Sequence, residues 1–175
     1  MCPGCWGQRT KIDGVRSIYR FDGTVRRAVH DLKYRSIKSL ADPLAVLMAD
    51  YLQRNKVPGD TLIAVPLHPK RLRQRGYNQS ALLVWKLSKL TAIPVSEGSL
   101  LRVKDSLPQA RTTNVDERRK NVKNAFSCQS SELRGKSLIL IDDVCTSGAT
   151  LEACGVALKK AGAISVWGFT LAREI

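Results

Sequence analysis

The stretch Leu138–Thr150 reads LILIDDVCTSGAT. Four apolar residues lead directly into two adjacent aspartates, and a turn of small and hydroxylated residues follows. A strand apolar at every position suits the centre of a parallel sheet, where helices cover both faces. Two carboxylates at the end of such a strand repel each other and resist desolvation, so they must be solvated, paired or holding a ligand. The turn offers the ligand. Thr146, Ser147, Gly148, Ala149 and Thr150 supply hydroxyls, backbone N–H groups and the start of a predicted helix, which together favour a phosphate. Gly148 lets backbone approach that phosphate with no side chain in the way. A sugar phosphate satisfies both halves: ribose hydroxyls donate to Asp142 and Asp143, while the 5′-phosphate rests in the turn. Hydroxyl donors, Mg²⁺ and basic side chains then compensate the carboxylates.

Other readings of the stretch explain less. The chain contains neither GxxxxGK[ST] nor GxGxxG, the phosphate loops of nucleotide and dinucleotide folds. Receiver domains also pair aspartates around Mg²⁺, but early in the chain, and here only one helix and one strand follow. Asp143 as a turn former and Thr146 as a helix cap account for single residues and not for the whole string.

Working outward, strands alternate with helices. Ser17–Phe21 predicts a short strand, and Thr24–Tyr34 a helix with Val25, Ala28, Val29 and Leu32 at helical spacing. Ser39–Arg54 predicts a second helix, broken by the Pro-Gly pair in Asn55–Asp60. Thr61–Leu67 is a strand candidate, followed by the basic segment His68–Asn78, read as a loop. Gln79–Leu90 returns to helix, with Leu83, Leu87 and Leu90 on one face, Val84 beside them, and Leu82 and Trp85 paired one turn apart. Ile93–Arg102 predicts one or two short strands. Lys104–Asn124 has no apolar periodicity and is expected to form a mobile loop with a short helix begun near Asp116. Gly148–Lys160 predicts a helix ended by Gly162 in a left-handed cap, and Ile164–Leu171 a closing strand. The pattern indicates an α/β fold with a mainly parallel central sheet flanked by helices.

Composition bounds the partners. The chain has 175 residues, enough for one domain with a full core, and carries a net charge of +14. That excess predicts an anionic partner, either nucleic acid or a phosphorylated small molecule. No apolar run is long enough to span a bilayer, and no secretory leader is visible, so a cytoplasmic protein without membrane insertion is expected. Five cysteines, at 2, 5, 128, 145 and 154, are odd in number and too widely spaced for a disulfide framework. Cys128, Cys145 and Cys154 are read as reduced packing residues. Cys2 and Cys5 form half a zinc knuckle, so zinc is expected there only if a partner pair exists.

With these residues in view, the chain resembles the type I phosphoribosyltransferases, whose signature is an apolar strand, two acidic residues and a Thr/Ser-Gly-x-Thr turn. Three further strings are similar to the ComF-like (competence protein F) branch: YRFDGTVRRAVHDLKYR from Tyr19, VPLHPKRLRQRGYNQS from Val65 and RRKNVKNAF from Arg118. The resemblance covers about residues 15–173. It implies a phosphoribosyltransferase-like domain over 15–175, with 1–14 the remnant of an N-terminal zinc knuckle or a linker. It implies a site for 5-phosphoribosyl-1-pyrophosphate with Mg²⁺ held through the ligand and by Asp142 and Asp143, which would also take the ribose hydroxyls. Thr146, Ser147, Gly148, Ala149 and Thr150 would hold the 5′-phosphate. The loop after the Thr61–Leu67 strand would face pyrophosphate through Lys70, Arg71 and Arg75. Arg118 and Asn121 would act in the mobile loop. The implied reaction is pentosyl transfer without a covalent nucleophile; Cys145 has no base beside it. Dimers are common in the superfamily, so the resemblance admits a homodimer, while the residues themselves do not fix the oligomeric state.

The alternative is a non-catalytic accessory protein that retains the fold to handle single-stranded DNA, as competence-linked naming suggests. Lys70, Arg71, Arg73 and Arg75 lie next to Tyr77 and Trp85, and positive charge beside aromatic platforms is the single-strand pattern. Trp85, one turn from Leu82, reads better as a packing residue, and Tyr77 stays open. The intact acid pair favours a bound small ligand, because carboxylates facing phosphates add nothing to a DNA surface.

Overall fold

The computed structural model describes residues 10–104 and 122–174. Its centre is a parallel four-stranded sheet in the order β1-β6-β5-β2, formed by β1 (Gly14–Arg20), β2 (Thr61–Ala64), β5 (Ser137–Cys145) and β6 (Ser165–Arg173). A second sheet pairs β3 (Leu100–Arg102) with β4 (Phe126–Cys128) in antiparallel fashion. The helices are α1 (Gly23–Tyr34), α2 (Ala41–Arg54), α3 (Pro69–Arg75), α4 (Gln79–Thr91) and α5 (Ala149–Lys160).

The apolar run organises both faces. Successive strand residues point to opposite sides. Leu138 and Leu140 enter one core with Leu151, Cys154 and Leu158 of α5, while Ile139 and Ile141 enter another with residues of α1, α2 and α4. All four are at most 1% exposed. Each such side chain contributes roughly 1.5–3 kcal/mol of burial, which makes β5 the anchor of the sheet. The strand runs past the apolar residues through Asp142 and Asp143 to Cys145, so the acid pair stands inside its last turns of pleat and not beyond its end.

Several boundaries differ from expectation for local reasons. β2 stops at Ala64, three residues before Leu67, because Pro66 has no N–H to continue the ladder; Val65 N still donates to Ile141 O at 3.0 Å. The segment read as a loop contains a helix, α3, opened by Pro69 after the His68 cap and closed by Gly76 at φ 79°. Leu90 leaves the predicted apolar face and is 48% exposed, while Leu83, Val84 and Leu87 are buried. Residues before the expected domain start also pack on the sheet: Ile12 is buried, and Asp13 N donates to Val166 O. The expected mobile loop lies almost wholly outside the described residues. Among the described residues, no helix is long and apolar enough to cross a membrane.

Candidate ligand site at the carboxyl ends of the strands

A cleft of about 480 Å³ opens where the parallel strands end, the place where open α/β sheets bind ligands. Its floor is Asp142, Asp143, Val144 and Cys145 of β5, with Thr146, Gly148, Ala149 and Thr150 continuing from it. One wall is α1, through Arg26, Val29, His30, Lys33 and Tyr34. The opposite wall comes from Val65, Pro66, Leu67, Arg71 and Arg75, with Gln79 of α4 and Arg102 of β3. The acid pair and the hydroxyl turn therefore share one cavity with Arg71 and Arg75. Lys70 is exposed and Ser147 turns to the backbone, its Oγ accepting from Ala149 N at 3.4 Å; neither lines the cleft. Arg118, Asn121, Cys2 and Cys5 lie outside the described residues.

The like-charge problem is met by pairing. Asp143 is almost fully buried, and its Oδ1 lies 2.7 Å from Lys33 Nζ at the last turn of α1. Its Oδ2 is buried and has no hydrogen-bond partner among the described residues. Asp142 Oδ1 accepts from Ser80 Oγ and from Asp143 N, both at 2.9 Å. Burial, and then the Asp143 charge, push the Asp142 carboxyl up to about 7, although Lys33, Ser80 and the Asp143 N–H pull the other way. Burial works against the Lys33 ammonium, but the charges of Asp143 and Asp142 outweigh it and hold its pKa above the ordinary lysine value.

Lys33 and Ser80 are the residues that sequence reasoning missed. Lys33 stood in a quoted family string without a role. Ser80 is placed by the RGYNQS string, which reads in the structure as a connector. Gly76 ends α3 and Asn78 caps α4, its Oδ1 accepting from Ser80 N at 3.0 Å and its Nδ2 donating to Val65 O at 2.9 Å. Arg75 donates to Gln79 Oε1. Tyr77, open between packing and platform, is 7% exposed and donates its hydroxyl to Leu32 O, so it belongs to the core. The signals were Gly after a basic run and Asn before a helical one.

The turn after β5 leads straight into the N-terminus of α5. Gly148 adopts φ 76°, a left-handed conformation that lets α5 start abruptly behind Thr146, and Thr150 stands in the first turn of α5. As for a cation, no group of three or more His, Cys, Asp or Glu side chains capable of holding a metal occurs among the described residues. The donors present fit Mg²⁺ in its usual mode, with one or two carboxylates completed by ligand oxygens, and Asp142 and Asp143 would be those carboxylates.

Residues 100–173 match the phosphoribosyl transferase domain model. The DNA utilization protein YhgH of Salmonella typhi is 30% identical over 179 residues, covering 99% of this chain and 78% of that protein. The chain belongs to the ComF-like family of type I phosphoribosyltransferase-fold proteins. Competence protein F of Haemophilus influenzae is 40% identical over 133 residues, which are 74% of this chain and 57% of that family member. The chain thus spans little more than half the length of that relative. In three dimensions, glutamine phosphoribosylpyrophosphate amidotransferase from B. subtilis, complexed with ADP and GMP, superposes with a TM-score of 0.51 at 19% identity, over 75% of this chain and 26% of that one. That likeness concerns the fold, and the fold is the one the family string at β5 led to expect.

Proposed function

We propose that the cleft binds 5-phosphoribosyl-1-pyrophosphate with Mg²⁺ and that the protein is a phosphoribosyltransferase-like member of the family serving DNA uptake or DNA metabolism. The observation that carries this reading is that Asp142 and Asp143 line one cavity with Thr146, Gly148, Ala149 and Thr150, while the buried Asp143 Oδ2 has no hydrogen-bond partner among the described residues. A ribose hydroxyl is a donor of the right kind for that oxygen, and a buried acceptor left unmade is costly. The 5′-phosphate meets the N-terminus of α5, and the pyrophosphate meets Arg71 and Arg75. In the reaction, the bond from the anomeric carbon to pyrophosphate breaks as a bond to the acceptor nucleophile forms, through a transition state with oxocarbenium character. Bound Mg²⁺ would neutralise charge on the departing pyrophosphate. The arginines hold the same leaving group, and the Asp142–Asp143 pair orients the ribose ring.

The accessory reading keeps one supporting observation. Beside the cleft, Arg27 and Arg35 with the shared Arg26 of the α1 region surround a second, shallower depression of about 280 Å³, and Trp85 is 44% exposed. Charge with an exposed indole suits single-stranded DNA. Calorimetric titration of 5-phosphoribosyl-1-pyrophosphate with Mg²⁺ into the wild type and the Asp142→Asn/Asp143→Asn variant separates the two. Saturable binding lost in the variant supports the ligand site. A folded wild type that does not bind leaves the DNA reading, checked by a salt-dependent single-strand titration.

A further inference from the structure

Lys33 is the one cation paired with the acid pair among the described residues, and the proposed ligand does not require it. It comes from the last turn of α1, far from β5 in sequence, yet its Nζ lies 2.7 Å from Asp143 Oδ1, with side-chain exposures of 21% and 2%. Surface ion pairs of this length contribute little, because water screens them and both side chains lose rotamers. This pair is different in kind, since one carboxylate is out of water and removal of either partner leaves an uncompensated charge.

Its position is also fixed from behind. Leu32, the preceding residue, is 0% exposed in the core with Ile139 and Ile141, and its carbonyl receives the Tyr77 hydroxyl. Lys33 is therefore aimed by a packed helix and not by a free surface tether. Both Lys33 and Asp143 line the cleft, and Asp143 Oδ2 remains without a hydrogen-bond partner among the described residues. The ammonium thus neutralises one carboxylate oxygen, and the other is buried.

That arrangement bears on a difficulty in the proposed reading, on which this inference rests. Two adjacent carboxylates repel a ligand that is itself polyanionic, and Mg²⁺ ordinarily bridges such charges. We propose that Lys33 is a built-in counter-cation of the sugar-phosphate site, a positioning residue that lets the acid pair accept a polyanionic ligand without a divalent cation between them. An ammonium is a compact charge with three donors, so it can hold Asp143 Oδ1 and still present a proton to a ligand oxygen in the cleft. The protein would then bind its ligand over a wide range of Mg²⁺ concentration, with the metal needed for the leaving group and not for capture.

The test is calorimetric titration of 5-phosphoribosyl-1-pyrophosphate in MgCl₂ and in EDTA, with the wild type, Lys33→Met and Lys33→Arg. The wild-type Kd should change by less than about threefold between the two media. Lys33→Met should lose about tenfold or more in EDTA, the effect of one charge-assisted contact, and recover most of it in MgCl₂. Lys33→Arg should follow the wild type. A purely structural role predicts instead that Lys33→Met loses the same factor in both media, which overturns the inference. Wild-type binding that disappears in EDTA overturns it as well and leaves the ligand reading standing. If Lys33→Met does not fold, the wild-type comparison decides alone. No binding by the wild type in either medium removes the ligand reading, and this inference with it.

Discussion

Tyr77 donates its hydroxyl to the carbonyl of Leu32, joining the connector before α4 to the helix that carries Lys33. The ring is 7% exposed and lies 4.9 Å from Lys38 Nζ. Tyr77→Phe keeps the packing and deletes the donor, at a cost of about 1–2 kcal/mol. Thermal melts should show a drop of about 2–8 °C, on the scale of ~2–4 °C per kcal/mol for a domain of this size. Single-strand DNA affinity should be unchanged, because a buried ring offers no platform. A DNA defect without a melting shift would return Tyr77 to the surface role.

Asp142 gives a pH dependence with a definite sign. Its carboxyl is raised from 3.8 to about 7 in the folded chain. Between those values the folded state holds a proton that the unfolded state has released, so stability falls as pH rises through the window and levels off above it. Asp142→Asn removes this penalty while an amide oxygen can still accept from Ser80 and Asp143 N. The variant should therefore gain on the wild type as pH increases from about 5 to about 8, by roughly two pH units at ~1.4 kcal/mol each, or about 5–10 °C in Tm. A constant difference across that range would show that Asp142 titrates as an ordinary carboxylate.

Gly148 makes a separate prediction about the turn. A Cβ added there would meet nothing nearer than Cys145 Sγ at 3.9 Å, so the cost of Gly148→Ala comes from φ 76° and not from a clash. That strain is about 1 kcal/mol. If the turn relaxes toward negative φ, the N–H groups of α5 move with it, and ribose 5-phosphate binding should weaken more than the melting temperature falls. Isothermal titration beside a thermal melt reads both quantities on one sample.

Arg71 and Arg75 are expected to separate pyrophosphate from ribose phosphate. Arg75→Ala and Arg71→Ala should each weaken 5-phosphoribosyl-1-pyrophosphate by about tenfold and leave ribose 5-phosphate nearly untouched. Equal losses for both ligands would place these side chains at the 5′-phosphate. Lys70→Ala, on the exposed side of α3, serves as the control and should change neither.

What could be read from sequence was what is local. The strand Leu138–Ile141, the turn to Thr150 and the amphipathic pattern of α1 each carry their signal within a few residues, and the structure keeps them. Lys33 and Ser80 were illegible because their partners are remote; Ser80 and Asp142 stand 62 positions apart. No periodicity marks which lysine of a basic helix will meet a particular carboxylate. The helix α3 was a different kind of miss. Pro69 and Gly76 are the usual start and stop residues of a short helix, and the density of charge between them hid the frame. Leu90 fits helical spacing but stands one residue from the end of α4 and is exposed.

The strand order has a consequence for how the protein comes into being. β6 lies between β1 and β5, so among the described residues the strand made first has its only sheet neighbour in the strand made last. On the ribosome, β1 and α1 emerge early and wait for β6 before the sheet that positions Lys33 opposite Asp143 can close. Such long-range pairing is slow to form. A nascent or prematurely terminated chain therefore carries the acid pair before the sheet beside it is complete, and the cleft at the strand ends takes shape only once synthesis has passed β6.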